Sequence, residues 1–173
     1  MQNLNPLSTP EATDTADTVV SVHGDCKVLL ATQDHVEYIY PTMRKEDKIE
    51  VACMGHSPKE ALETGLEYDD ITFTAVDVDN VPFAMFGAGH FDNQGYIWLL
   101  GTDALEDNAY QFLRASRKYV QIMTKPYGTV INYVHTENTK AIQWLRHCSA
   151  KFIRKVNVSN QTFLEFIIIS NNV

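Results

Sequence analysis

The sequence predicts an α/β (α+β) fold in which a mixed, largely antiparallel sheet is flanked by helices on both faces. Three strand patterns joined by short polar turns fill residues 71–101, and this spacing is typical of an antiparallel meander. A strand–helix–strand pattern follows over residues 96–135, and such a unit leaves its two strands parallel. Because both patterns occur in one chain of 173 residues, we expect a single mixed sheet.

Residues 1–24 differ from the rest of the chain in composition. They are rich in Thr, Asp, Asn, Ser and Pro and show no hydrophobic period, which predicts a flexible N-terminal arm. The following residues, 25–173, are predicted to form a single domain, because their number suits one hydrophobic core.

The first elements of this domain follow from the hydrophobic pattern. A strand is predicted over residues 26–32, and one or two helices over residues 35–55. We expect the helical region to break at Pro41, because proline cannot donate to the helical hydrogen-bond ladder. The mixed-charge run MRKEDK, residues 43–48, is typical of a solvent-exposed helix surface.

The next helix has a clear start. Ser57 can cap it, Pro58 suits its first position, and Glu60 completes a capping box. After the meander the sequence predicts, in order, a helix over residues 104–124, a strand over 128–135, a helix over 138–148 and a final hairpin that turns at Ser159 and Asn160.

Composition and charge exclude several classes of protein. The formal net charge is −8 and the pI is near 5.1, whereas a protein that binds nucleic acid with its whole surface needs the opposite sign. We therefore expect no non-specific nucleic-acid binding, although the net charge alone leaves a small basic patch open. No apolar run reaches the roughly 20 residues that span a bilayer. The first residues lack the basic start and apolar stretch of a signal peptide, which predicts a cytoplasmic protein without a membrane partner.

The cysteines and histidines predict neither a disulfide framework nor a metal site. Cys26, Cys53 and Cys148 are an odd number without a CxxC spacing, and the six histidines show no ligand spacing. The motifs of serine hydrolases, zinc proteases, Walker loops and Rossmann folds do not occur either.

The stretch NTKAIQWLRHCSAKFI, together with the order of elements, resembles the GNAT acyltransferase fold. In that fold an Asn follows the fifth strand, an Ala lies three residues later, and an aromatic-rich helix leads into a turn. Asn138, Ala141 and the Trp144–Leu145 pair match this arrangement. The resemblance covers residues 26–170 and implies a GNAT-like fold for the whole predicted domain.

The segment NYVHTENTKAIQWLRHCSAKF is also similar to the GNAT-like internal virion protein A family of podovirus-type bacteriophages. The matching positions are Asn132, Tyr133, Val134, Asn138, Thr139, Trp144, Leu145, Arg146, Ala150 and Phe152. This resemblance implies an internal virion or morphogenesis protein that acts by protein–protein contacts in particle assembly or genome ejection. Its implied partners are the portal, internal core and scaffold proteins, and its implied location is the host cytoplasm and then the virion interior.

The cofactor loop of the active GNAT family does not match this sequence. In that family an Arg/Gln-x-x-Gly-x-Gly/Ala loop holds the pyrophosphate of acetyl-CoA with its amides, at a helix N-terminus. The basic position falls on Leu105 and the small positions on Asn108 and Tyr110, with Glu106 and Asp107 between them. Each nearby carboxylate would oppose a phosphate by about 1 kcal/mol in a solvent-like dielectric, whereas it stabilises a helix start. The comparison favours a non-catalytic protein without a cofactor.

The proton donor of the active family is also missing from its aligned position. Many members use a Tyr on the last long helix, and that position is Leu145, which cannot transfer a proton. If the site is active, Tyr133 and His135 on the preceding strand are the candidate catalytic residues. The simpler interpretation of both is packing within a half-buried strand.

Three functions therefore remain open. The first is the non-catalytic phage protein described above. The second is an active acetyl-CoA-dependent N-acyltransferase that modifies a host protein or a small amine. In that protein backbone groups of Leu100 and Thr102, together with Asn138, would bind the cofactor, although Asn138 is equally suited to capping the helix that follows. The third is a factor that binds and inhibits a bacterial host enzyme.

Overall fold

A computed structural model describes residues 18–171 of the chain. The strands in these residues are β1 (Val19–His23), β2 (Cys26–Leu30), β3 (Ile71–Val76), β4 (Pro82–Phe91), β5 (Gln94–Gly101), β6 (Thr129–His135), β7 (Lys151–Val158) and β8 (Gln161–Ile169). The helices are α1 (Gln33–Thr42), α2 (Lys45–Cys53), α3 (Pro58–Tyr68), α4 (Ala104–Asp107), α5 (Ala109–Thr124) and α6 (Thr139–His147).

The strands form one sheet in the order β1-β2-β3-β4-β5-β6-β8-β7. Neighbouring strands are antiparallel except for β5 and β6, which are parallel. The predicted mixed, largely antiparallel sheet is therefore confirmed, and so is the parallel pair around the strand–helix–strand unit. Within residues 18–171, every helix is too short or too polar to cross a membrane.

The N-terminal boundary of the sheet differs from the prediction. Residues 19–23 were assigned to the flexible arm, but they form β1, which pairs antiparallel with β2 at the sheet edge. Its short valine-containing sequence gives only a weak strand signal, and the hydrogen bonds and side-chain contacts with β2 stabilise the strand. The remainder of the predicted arm, residues 1–17, lies outside the described residues.

The break between the first two helices was predicted in the wrong place. Pro41 lies inside the last turn of α1, where its missing N–H removes a single hydrogen bond. The chain leaves the helix at Met43, which forms a bridge with Thr102 beyond the end of β5. The amide of Arg44 then donates to the carbonyl oxygen of Gly101 at 2.9 Å. A tertiary contact, rather than the proline, therefore sets the break.

The start of α3 and the turn between β7 and β8 depend on residues that are close in sequence, and both occur at the predicted positions. The Ser57 hydroxyl accepts from the Glu60 amide at 3.3 Å, and the Glu60 carboxylate accepts from the Ser57 amide at 2.8 Å. Ser159 and Asn160 have φ values of 48° and 62°, which are the values of a tight hairpin turn.

The helix predicted over residues 104–124 is interrupted. Asn108 ends α4, and both its backbone amide and its side-chain amide donate to the carbonyl oxygen of Ala104, at 3.2 and 3.0 Å. The chain then starts again as α5, so the connection from β5 contains one complete helical turn of its own.

Two hydrophobic layers cover the two faces of the sheet. On one face α5 and α6 pack against buried strand residues such as Phe86 and Val134. On the other face α1, α2 and α3 pack against residues such as Met85 and Leu100. The alternation of Met85 and Phe86 between the layers follows from the two-residue period of a strand.

The parallel pairing of β5 and β6 is short. It joins Gly95 to Val130 and Tyr96 to Ile131. One residue further along, the side chain of Asn132 donates to the carbonyl oxygen of Ile97 at 2.7 Å and takes the place of a main-chain bond. Beyond this point the strands diverge, and the space between them is the candidate functional site.

Candidate functional site

A cleft of about 730 Å³ lies between the diverging ends of β5 and β6. Residues of α2 and α3 line it on one face of the sheet, and residues of α5 and α6 line it on the other. These two parts are called the α2 half and the α5 half of the cleft. Because both faces contribute, a ligand in the cleft would contact groups from either side of the sheet.

The α2 half contains charged groups that the sequence analysis placed on an exposed surface. Arg44 is 7% exposed and Asp47 is 1% exposed, so the prediction of a solvated helix surface for residues 43–48 is wrong at these positions. The guanidinium of Arg44 donates to Asp47 Oδ2 at 2.8 Å, and the amide of Gly101 donates to the same oxygen at 2.7 Å. The other oxygen, Asp47 Oδ1, is buried without a hydrogen-bond partner among residues 18–171.

Glu50 lies one turn further along α2 and also lines this half of the cleft. Its Oε1 accepts from the His135 amide at 3.0 Å and from the side-chain amide of Asn138 at 2.9 Å. Burial raises the pKa of the Glu50 carboxyl to about 7, although these two hydrogen bonds act in the opposite direction. A carboxyl with this pKa exchanges protons at neutral pH, so Glu50 is a candidate proton acceptor.

An aromatic wall completes the α2 half. The half-buried carboxylate of Asp69 accepts hydrogen bonds from the Tyr96 hydroxyl, at 2.6 Å, and from the indole nitrogen of Trp98. Burial raises the pKa of Asp69. The Trp98 indole lies directly against Gly65 of α3, where a methyl group would overlap it. These contacts fix both rings at the edge of the cleft.

The two candidate catalytic residues occupy different environments. Tyr133 is half-buried and lines the cleft. The His135 ring packs edge-on against Phe163, and its Nε2 lies 3.0 Å from Gln161 Oε1 in the β7–β8 hairpin. Tyr133 therefore lines the same cleft as Glu50, whereas the imidazole of His135 is turned towards the hairpin.

The three candidate cofactor-binding residues are also separated. Leu100 lines the cleft as part of the hydrophobic layer of α1 to α3. The amide of Thr102 donates to the Phe83 carbonyl oxygen at 2.9 Å, and its own carbonyl accepts from the Leu105 amide, so both backbone groups are engaged. Asn138 lines the cleft and caps α6, because its Oδ1 accepts from the Ala141 amide at 3.2 Å.

The connection between β5 and α5 borders the α5 half of the cleft. Three of its amides are used within the connection itself, since Leu105, Glu106 and Asn108 donate to the carbonyl oxygens of residues 102, 103 and 104. The Glu106 carboxylate pairs with Lys140 of α6. The indole nitrogen of Trp144 is buried without a hydrogen-bond partner among residues 18–171.

Sequence reasoning missed the charged face of α2, although a signal for it exists. Arg44, Asp47, Glu50 and Val51 follow one another at intervals of three, three and one residues, which places all four on one side of a helix. Val51 is the buried apolar residue of that helix, so its neighbours on the same side turn inwards too. Reading the charges in sequence order, rather than by helical position, hides this arrangement.

Comparison with solved structures shows the fold. The chain is similar to a GNAT-family acetyltransferase from Bacillus anthracis (TM-score 0.62, 9% identity, covering 86% of this chain and 96% of that one). It is similar to a ribosomal-protein-S5-alanine acetyltransferase from Vibrio fischeri (TM-score 0.62, 11% identity, covering 90% and 98%). It is also similar to a spermidine N-acetyltransferase from Vibrio cholerae in complex with CoA and spermine (TM-score 0.55, 11% identity, covering 84% and 96%). The predicted GNAT-like fold is thereby confirmed.

The likeness is one of fold, because identities of this size do not carry activity or substrate from one chain to another. No protein-family model matches the sequence, and no curated protein matches it.

Proposed function

We propose that this protein uses the GNAT fold without acyl transfer and acts through protein–protein contacts as an internal or morphogenesis protein of a bacteriophage. The connection between β5 and α5 is the observation that supports the absence of acyl transfer. The resemblance of residues 132–152 to internal virion protein A supports the phage role, with portal, internal core and scaffold proteins as partners.

A pyrophosphate group does not fit the connection between β5 and α5. Binding it needs unpaired amides and close approach to the backbone. Here the amides of Leu105, Glu106 and Asn108 are already bonded within the connection. Tyr110 stands at a position where the active family has a small residue, and Glu106 and Asp107 add negative charge. Both the geometry and the charge therefore oppose a bound pyrophosphate.

Calorimetric titration of the protein with acetyl-CoA tests this proposal. We expect no binding up to about 1 mM, because the missing amide contacts are those that discriminate a phosphate group. An active GNAT acetyltransferase titrated under the same conditions is the positive control. The variant Glu106→Gln/Asp107→Asn separates charge from geometry, and we expect it not to bind either, because the amides of Leu105, Glu106 and Asn108 stay bonded. A micromolar Kd for the unmodified protein would contradict the proposal.

The phage role has a separate test. Mass spectrometry of purified particles should detect the protein in amounts comparable with the portal protein, and cross-linking should join it to portal, core or scaffold proteins. Absence from particles, together with stoichiometric capture of a host enzyme, would instead favour the host-inhibitor function.

Acyl transfer to an amine is the second candidate, because the α2 half of the cleft favours it. Glu50 is half-buried, has a pKa of about 7 and lines the same cleft as Tyr133. In this function Glu50 would accept the proton of an amine and Tyr133 would donate one to the leaving group. His135 is not needed in either role.

Mass spectrometry also tests the second candidate. The protein is incubated with acetyl-CoA and either spermidine or a peptide with a free alanine amine. The names of two of the similar structures give spermidine and an alanine of ribosomal protein S5 as acceptors. Transfer that exceeds the background and is lost in Glu50→Gln would establish the activity. No acetylated product from these amines or from host proteins would exclude it.

A further inference from the structure

Charge is divided unevenly along the chain. Residues 1–107 contain five Lys and Arg against twenty Asp and Glu, whereas residues 108–173 contain nine Lys and Arg against two Asp and Glu. The first part therefore carries a net charge of −15 and the second a net charge of +7. The total of −8 conceals this division.

Four of these cations lie on α5 and α6, and we call them the basic patch. They are Arg114, Arg117 and Lys118 on α5 and Arg146 on α6, all exposed. Positions 114, 117 and 118 are three and four residues apart, which places them on one side of α5. Arg117 Nε donates to the carbonyl oxygen of His147 at 3.0 Å, which joins this side of α5 to the end of α6, next to Arg146.

Among residues 18–171, no carboxylate forms an ion pair with any of the four side chains of the basic patch. The two acids of the second part of the chain lie elsewhere, since Glu165 pairs with Arg154 and Glu137 precedes α6 at its opposite end. The described part of the chain therefore leaves the positive charge of the patch unpaired.

A pocket of about 460 Å³ lies within the basic patch. Its lining consists of Arg117, Lys118, Gln121, Ser149 and Asn171. Cations combined with hydroxyl and amide side chains are the groups that contact nucleic-acid phosphates. The described lining residues include no acid, and this favours a ligand with closely repeated negative charges.

The acidic part of the molecule does not prevent such binding. A chain of this length has a radius of gyration of about 16 Å, so opposite surfaces are roughly 30 Å or more apart. The Debye length is about 10 Å at 0.1 M salt, so charges at that distance are largely screened. Local charge, rather than net charge, then decides what the basic patch binds.

We propose that the basic patch binds the phosphate backbone of duplex DNA without sequence preference. This replaces the expectation drawn from net charge alone, and it is independent of whether the cleft is catalytic. Because about four phosphates are neutralised, the logarithm of the binding constant should fall with the logarithm of salt concentration with a slope of about −3 to −4.

Fluorescence anisotropy with a labelled DNA duplex of about 20 base pairs tests the proposal. At about 50 mM salt we expect a Kd on the order of 10 µM for the full chain. The variant Arg114→Glu/Lys118→Glu should weaken binding about tenfold or more, because it reverses two of the four exposed charges of the patch. The matched control is Lys45→Glu/Lys48→Glu on α2, which changes the net charge equally and should bind nearly as the unmodified protein does.

Several outcomes would overturn the proposal. Equal weakening by both variants would assign the effect to net charge, and no binding at low salt would exclude DNA as the ligand. Stronger binding to polyglutamate or to vesicles with anionic lipids than to DNA would indicate a different partner. Circular dichroism of both variants establishes that they are folded, so that a loss of binding reports on the surface.

Discussion

Glu50 connects three elements through one carboxylate. It extends from α2, and its Oε1 holds the amide of His135 at the end of β6 and the side chain of Asn138 at the start of α6. A glutamine would keep an oxygen that accepts both bonds, but it would not titrate. This makes Glu50 the residue at which the electrostatics of the cleft can be examined without removing a contact.

Stability should depend on pH through Glu50. Its pKa is about 7 in the folded protein against an ordinary value of 4.5, so the folded state holds the proton more tightly. The stability from this group is complete below pH 4.5 and is lost as the pH rises through 7. We expect a loss on the order of 2 kcal/mol in the free energy of unfolding, and Glu50→Gln should not show it.

Urea denaturation at several pH values between 4.5 and 8 measures this difference. Other carboxyls contribute equally to both proteins, so the difference between the two profiles isolates Glu50. Parallel profiles would show that Glu50 titrates as an exposed glutamate does, and they would remove the reason for considering it a proton acceptor.

Among the helices and strands, the features that could be predicted from the sequence are those that depend on residues close together in the chain. The capping box at Ser57 and the turn at Ser159 and Asn160 depend on groups a few residues apart, and they were predicted correctly. Two other features were not predicted correctly. The end of α1 depends on contacts with residues 101 and 102, which are distant in sequence, and β1 has only a weak strand signal of its own. The parallel pair of β5 and β6 was predicted, but its early divergence, which creates the cleft, has no local sequence signal.

Gly65 of α3 lies directly against the Trp98 indole of β5, and a substitution at Gly65 tests whether this contact between helix and strand is rigid. Replacing Gly65 by alanine should improve the intrinsic helix propensity by about 1 kcal/mol. However, the added methyl group would overlap the indole of Trp98 and displace it from Asp69. We expect a net destabilisation of about 1–3 kcal/mol, with a change in tryptophan fluorescence.

Chemical denaturation compares Gly65→Ala with Glu67→Ala, an exposed position of the same helix. The control should change the free energy of unfolding by less than about 0.5 kcal/mol. If Gly65→Ala proved more stable than the unmodified protein, the indole would have to be free to move, and the wall of the cleft would not be rigid.

At the scale of the whole molecule, the sheet consists of two parts joined over a short boundary. Strands β1 to β5 form one part and β6 to β8 the other, and the boundary has two residue pairs with Asn132 beside them. Asn132 also accepts from the Tyr133 amide at 2.8 Å, so its side chain has bonds in both directions.

Removing the side chain of Asn132 should therefore loosen the boundary. We expect Asn132→Ala to lower the free energy of unfolding by about 1–3 kcal/mol, because two partners lose their hydrogen bonds. Hydrogen exchange should become faster at β5 and β6 and remain unchanged at the β3–β4 pair. Asn157→Ala on the exposed face of β7 is the control, and uniform acceleration in all strands would contradict a local role for Asn132.

The two parts of the sheet are also consecutive in the chain, and this determines the order in which they leave the ribosome. Strands β1 to β5 and helices α1 to α3 are complete at residue 101, and α1 to α3 cover only one face of those strands. The other face, with Phe73 and Phe86, is covered by α5, which ends at Thr124. At about 5–20 residues per second, synthesis leaves this apolar surface open for a second or more. The nascent chain is therefore most prone to aggregation, and most dependent on chaperones, during that interval.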